Sequence, residues 1–138
     1  MKNTTHNTEQ AARGYLMYEL ARRGYNIQLT DSRFPVVDML VVSPEGRYFG
    51  IDVKGQRTKN FWLFKECEPS IDRFYAFIYL SETKSPRVFI MNSPTAMKLF
   101  YEYRARCQAR NPNIKDQFWG VNWTTPHEYE DRFDLLPK

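Results

Sequence analysis

Val36-Val37-Asp38-Met39-Leu40-Val41-Val42-Ser43-Pro44-Glu45-Gly46-Arg47-Tyr48-Phe49-Gly50-Ile51-Asp52-Val53-Lys54 decides how this chain is read. Two apolar, β-branched runs flank Ser43-Pro44-Glu45-Gly46, where Pro and Gly occupy turn positions, so the segment predicts a hairpin of strands 36–42 and 47–54. Each run has an acid inside it. Asp38 has two apolar residues before it and four after it, and an ionised carboxylate in that setting needs a cation, a proton or several hydrogen bonds. No such group stands beside it in the chain, so the partner has to come from elsewhere in the fold. The second strand supplies one, because the period of two puts Asp52, Lys54 and Gln56 on one face and Ile51 and Val53 on the other.

Outward from the hairpin, Ala12, Leu16 and Leu20 recur at helical spacing between Thr8 and Arg23, with Gly24 at the stop position. Tyr25 to Thr30 reads as a strand, followed by a turn at Asp31-Ser32-Arg33. Downstream, Phe61 to Lys65 reads as a short strand, and Asp72 to Ser81 and Arg87 to Met91 as two more, split by the polar loop Glu82-Thr83-Lys84-Ser85-Pro86. Ser93-Pro94 has the form of an N-cap followed by Pro at the first helical position. Ala96, Phe100, Tyr103 and Cys107 then carry a second helix to Asn111-Pro112. The aromatic but aperiodic tail from Gln117 to Lys138 reads as an irregular apron on the core. The expected fold is a single α/β domain over residues 1–138, with a mixed central sheet flanked by helices.

Composition narrows the function classes. A chain of 138 residues can build one core without metal or disulfide staples. The longest apolar run, Phe74 to Leu80, is seven residues, far short of a membrane span. Met1 to Asn7 has no apolar stretch of the kind a secretory leader needs, and a cytoplasmic protein is expected. Cys67 and Cys107 share no ligand spacing with each other or with His6 and His127, so reduced packing thiols are expected rather than a zinc site. No Gly-rich phosphate loop occurs, which removes nucleoside-triphosphate hydrolysis. A net charge of +4 permits a polyanionic partner without requiring one.

If Asp38 and Asp52 converge across adjacent strands, their repulsion favours a raised pKa or a hard divalent cation between them, for which Mg2+ is the natural occupant. Such a cation keeps positions open for water and phosphate, the arrangement used in phosphodiester hydrolysis. Lys54 would reach the same spot and offset charge building on the phosphoryl oxygens. The acid-x-Lys triplet has no weight alone, since Glu82-Thr83-Lys84 repeats it in a polar loop. The competing reading is a solvated edge strand bearing Asp52 and Lys54, with Asp38 neutralised by Arg33 or Lys54. From Lys54 to Lys65 the chain also holds Arg57 and Lys59 and no acid, interleaved with Phe61, Trp62 and Phe64. This is either a nucleic-acid track or a solvated face over core aromatics. Lys98, Arg104, Arg106 and Arg110 on the second helix leave the same choice open.

In its order of helix, strand, apolar strand with internal Asp, then Ile51-Asp52-Val53-Lys54, the chain resembles the PD-(D/E)XK nuclease superfamily, which has a restriction-endonuclease-like fold. The likeness spans roughly residues 9 to 100 and is similar to small stand-alone bacterial and phage members, through Leu20-Ala21-Arg22-Arg23-Gly24-Tyr25-Asn26-Ile27 and the runs at Phe61-Trp62-Leu63, Phe74 to Leu80 and Pro86 to Ile90. The resemblance implies a nuclease dependent on Mg2+ or Mn2+, acting on nucleic acid and most readily DNA, leaving a 5′-phosphate and often working as a homodimer. It implies that Asp38, Asp52 and the Val53 carbonyl bind the metal, that Lys54 assists the attacking water, and that Gln56 orients the nucleotide or Lys54. Two departures stand out. The family's helix Glu falls at Arg13, leaving Glu9 or Glu19 as substitutes or as surface charges, and Pro35 does not immediately precede the Asp. The alternative is a nuclease fold without catalysis, kept as a module that binds nucleic acid or protein.

Overall fold

A computed structural model describes residues 5–31, 37–114 and 119–138. Helix α1 (Thr5–Ala21) buries Thr8, Ala12, Leu16 and Leu20 along one stripe. Gly24, at φ +90°, ends it: Gly24 N–H donates to Ala21 O and Tyr25 N–H to Leu20 O, the Schellman arrangement that residues with a Cβ adopt only under strain. Strand β1 (Asn26–Leu29) pairs antiparallel with β2 (Met39–Val42), and β2 with β3 (Tyr48–Gln56). The β2–β3 turn closes as its sequence predicts, with Gly46 at φ +87° and the Ser43 Oγ accepting from Arg47 N–H.

Strand β5 (Arg73–Tyr79) lies parallel to β3 on its other side, and β6 (Arg87–Asn92) pairs antiparallel with β5. The result is a five-stranded mixed sheet in the order β1-β2-β3-β5-β6, in which β3 is the central strand. Because β3 and β5 are parallel, their connection crosses a sheet face, and it carries β4 (Trp62–Leu63) with it. The strand expected over 61–65 is therefore only two residues long and outside the main sheet. It pairs instead with β7 (Gly120–Val121) in the tail, where a Cβ on Gly120 would come within 1.8 Å of the Trp62 carbonyl oxygen.

Helix α2 (Ser93–Arg110) starts one residue earlier than its sequence suggests. Asn92 is the cap, its Oδ1 accepting from Thr95 N–H at 2.8 Å. The buried Ser93 hydroxyl exchanges two hydrogen bonds with the backbone of Ser70. The two faces of the sheet carry separate cores. Phe49, Ile51 and Val53 pack with α1 on one face, and Tyr75, Phe77, Phe89 and Met91 pack with Trp62, Phe64 and α2 on the other. The tail behaves as the expected apron: Trp119 and Val121 join the second core, Leu136 joins the first, and Glu130 bridges to Phe89. Among the described residues no helix is long and apolar enough to cross a membrane.

Candidate functional site

The central position of β3 removes the reading of Asp52 and Lys54 as a solvated edge: Asp52 is 9% exposed, pairs with Tyr75 of β5 on one side and lies just past the end of the β2 pairing on the other. Alternation holds as expected, with Ile51 and Val53 under α1 and Asp52 on the opposite face beside Tyr75. Asp38 is half-buried rather than almost wholly buried, because it precedes β2 instead of lying within it. Met39 faces Ile51 in the register, yet Asp38 N–H also donates to Ile51 O at 3.0 Å, so two consecutive residues address one, as in a bulge. Past this point Val53 N–H turns to the Asp38 side chain, donating to Oδ2 at 2.7 Å. That bond fixes the Asp38 carboxylate against β3.

Asp52 and Asp38 are close enough for the charge of Asp38 to count at Asp52. Burial pushes the Asp52 carboxyl above the usual aspartate range and Asp38 pushes the same way, while Arg73 and Lys54 oppose the shift. Arg73 is the group that the sequence reading missed. Its Nε and Nη2 both donate to Asp52 Oδ2, at 2.8 and 2.6 Å, and the two side chains are 19% and 12% exposed. The signal was a lone cation heading the apolar run from Phe74 to Leu80, but only the parallel pairing of β5 with β3 brings it to Asp52.

Glu9 joins the same site. Gly55, one residue past Lys54, lets α1 approach so closely that a Cβ there would meet the Ala12 Cβ at 2.6 Å. One turn away on the helix, Glu9 is half-buried. Burial raises its pKa, Asp38 reinforces the rise, and Lys54, Arg13 and the Gly55 N–H hold it back. Glu9 is therefore no solvated surface charge. Neither is Glu19, which is buried at the other end of the helix under Arg22 and Arg23, whose hydrogen bonds hold its carboxyl low.

The predicted nucleic-acid residues divide. Gln56 Nε2 donates to the Asn60 carbonyl and Arg57 Nε to Thr8 Oγ1, so both tie down the end of β3, whereas Lys59 stays exposed. Trp62 and Phe64 are core residues, and Phe61 packs on Tyr103. Arg33 and the Phe34-Pro35 departure lie outside the described residues, as does most of the turn expected at 31–33. An apolar depression of about 450 Å3 lies away from the acids, between β1, β2 and the start of β3.

Among the described residues no three His, Cys, Asp or Glu side chains converge into a ready metal cage. A hard cation that keeps most of its waters needs only one or two carboxylates. Asp38 and Asp52 meet that requirement in donor chemistry: both are anchored, Asp38 is near enough for its charge to act on Asp52, and Arg73 bonds to only one of the two Asp52 oxygens. Compared with protein-family models, curated proteins and solved structures, the chain matches none.

Proposed function

We propose that this protein is a metal-dependent nuclease of the PD-(D/E)XK type on a restriction-endonuclease-like fold, hydrolysing phosphodiester bonds, with DNA as the substrate. The observation that supports this reading best is that Asp38 and Lys54 both lie within electrostatic reach of Asp52 and of Glu9, at the point where β2 parts from the central strand. Burial and the charge of Asp38 raise the pKa of both Asp52 and Glu9, a cost to stability of the kind that clusters at functional sites. Asp38 and Asp52, with the Val53 carbonyl, would hold Mg2+ or Mn2+. When bound, that cation supplies Lewis-acid polarisation of a phosphoryl oxygen and acidification of a water.

The chain's own residues supply the rest. Asp38 is oriented by its hydrogen bond from Val53 N–H, so its other oxygen has a fixed direction. Lys54, half-buried and within electrostatic reach of Asp52 and Glu9, provides an ammonium for charge developing on the non-bridging phosphoryl oxygens. Glu9 stands where it can hold the Lys54 ammonium or take a proton from water. Lys59 offers an exposed cation for a flanking phosphate.

The Asp52–Arg73 ion pair favours a second reading, the non-catalytic module, since it already neutralises the central acid. Cleavage of supercoiled plasmid separates the two. Nicking should require Mg2+ or Mn2+ and should fall by about 100-fold or more in Asp38→Asn, Asp52→Asn and Lys54→Met, with circular dichroism unchanged. Retained DNA binding in EDTA, without cleavage at any metal concentration, would establish the module instead.

A further inference from the structure

On the nuclease reading, Arg73 occupies the position at Asp52 that a cation would take. Arg73 and Gly50 are direct partners in the β3–β5 register, and Asp52 lies two residues along the same face from Gly50. Gly50 has no side chain, so nothing on β3 stands between the Arg73 stem and the Asp52 carboxylate. Nor can that position be filled, because a Cβ on Gly50 would meet Val37 Cγ1 at 2.8 Å. Both guanidinium contacts fall on Oδ2, and the ring of Tyr75, the cross-strand partner of Asp52, lies 5.9 Å from the guanidinium carbon. The pair is mostly shielded from water, so its attraction, and its repulsion of a second cation, are weakly screened.

We propose that Arg73 is an intramolecular counter-cation of the metal site, which a divalent ion must displace from Asp52 in order to bind. A dication beside a guanidinium that stays in place would meet strong repulsion, while a guanidinium that swings away leaves Asp52 to the ion. Metal affinity is then set by competition rather than by the carboxylates alone. This rests on the nuclease reading of the site and adds a residue that tunes it.

The test is Mn2+ binding, read from the free-ion signal by electron paramagnetic resonance and from the thermal shift on adding Mn2+. Arg73→Gln should bind Mn2+ about tenfold or more tightly than the parent. Its melting temperature, lowered because Asp52 loses its partner, should be restored by Mn2+. Arg73→Lys, which keeps the charge but not the two-pronged contact, should fall between. If Arg73→Gln does not fold, the comparison passes to Arg73→Lys and to the double variant Asp52→Asn/Arg73→Gln, which leaves no unpaired buried charge and should lose the gain. Equal Mn2+ affinity in parent and variants, or no Mn2+ binding by any of them, would overturn the proposal. Tighter binding in Arg73→Gln with no DNA cleavage by any of the proteins would uphold the competition and overturn the nuclease reading.

Discussion

Asp38 does two jobs with one carboxylate. Oδ2 satisfies a Val53 N–H that β2 no longer pairs, and on the nuclease reading the other oxygen serves the metal. Removing the side chain altogether would orphan a backbone donor at the centre of the sheet, which is why asparagine, not alanine, is the informative replacement. Glu9 accepts from the Gly55 N–H, and a glutamine oxygen can take over that bond. At neutral pH its charge is held against burial and against Asp38, so Glu9→Gln should raise the urea midpoint or leave it unchanged, while lowering Mn2+-dependent cleavage about tenfold or more. A lowered midpoint with full activity would make Glu9 a structural residue. The sequence flagged Glu9 only as one of two alternatives to Arg13. It could not choose between them because Glu9 and Glu19 are both helix acids, and only docking decides which end of α1 meets Lys54.

At the scale of elements, the site depends on how closely α1 settles on β3. Gly55 and Ala12 make that approach, and Arg57 Nε to Thr8 Oγ1 at 3.0 Å ties the same ends together. Gly55→Ala should lift the first turns of the helix, costing about 1–3 kcal/mol in denaturant unfolding. It should reduce cleavage by more than the loss of folded protein explains, because Glu9 moves with the helix. Cleavage that tracks the folded fraction alone would show that α1 does not position the chemistry. The main-sheet strands and both helices were legible from periodicity and turn residues, although β2 begins at Met39 rather than at 36 and β4 is shorter than the expected 61–65. Strand β7 was not, since Gly120-Val121 is too short to show a period and exists only because Trp62-Leu63 offers it a partner.

Across the whole molecule, two groups of carboxylates give opposite responses to pH. Hydrogen bonds from Arg23 and Arg22 hold Glu19 low, and Arg87 does the same for Glu130, so their stabilisation is complete above the unfolded value near 4.5 and is lost as pH falls through the lower folded values. Asp52 and Glu9 are raised in the folded state. They bind more protons folded than unfolded in the interval above 3.8 and 4.5, and stability is lost there as pH rises through the raised values. Urea midpoints measured upward from pH 4.5, where the gain from Glu19 and Glu130 is complete, should therefore show a decline that Glu9→Gln diminishes. A parent curve that only rises with pH, and stays the same in that variant, would contradict the assignment of these acids.

The linear sequence by itself determined the main-sheet strands, the two helices and the candidate acids. Apolar alternation, the Ser43-Pro44-Glu45-Gly46 turn and an acid inside each apolar run are local properties of the chain. Only the tertiary structure decided that β3 is central, that Arg73 pairs with Asp52, and that Glu9 rather than Glu19 comes within electrostatic reach of Lys54. The physical reason is reach. Periodicity reports which face a side chain takes within its own element, whereas partners across a parallel crossover or a helix–sheet contact are chosen by backbone approach, here set by Gly50 and Gly55, and by the burial that follows from it.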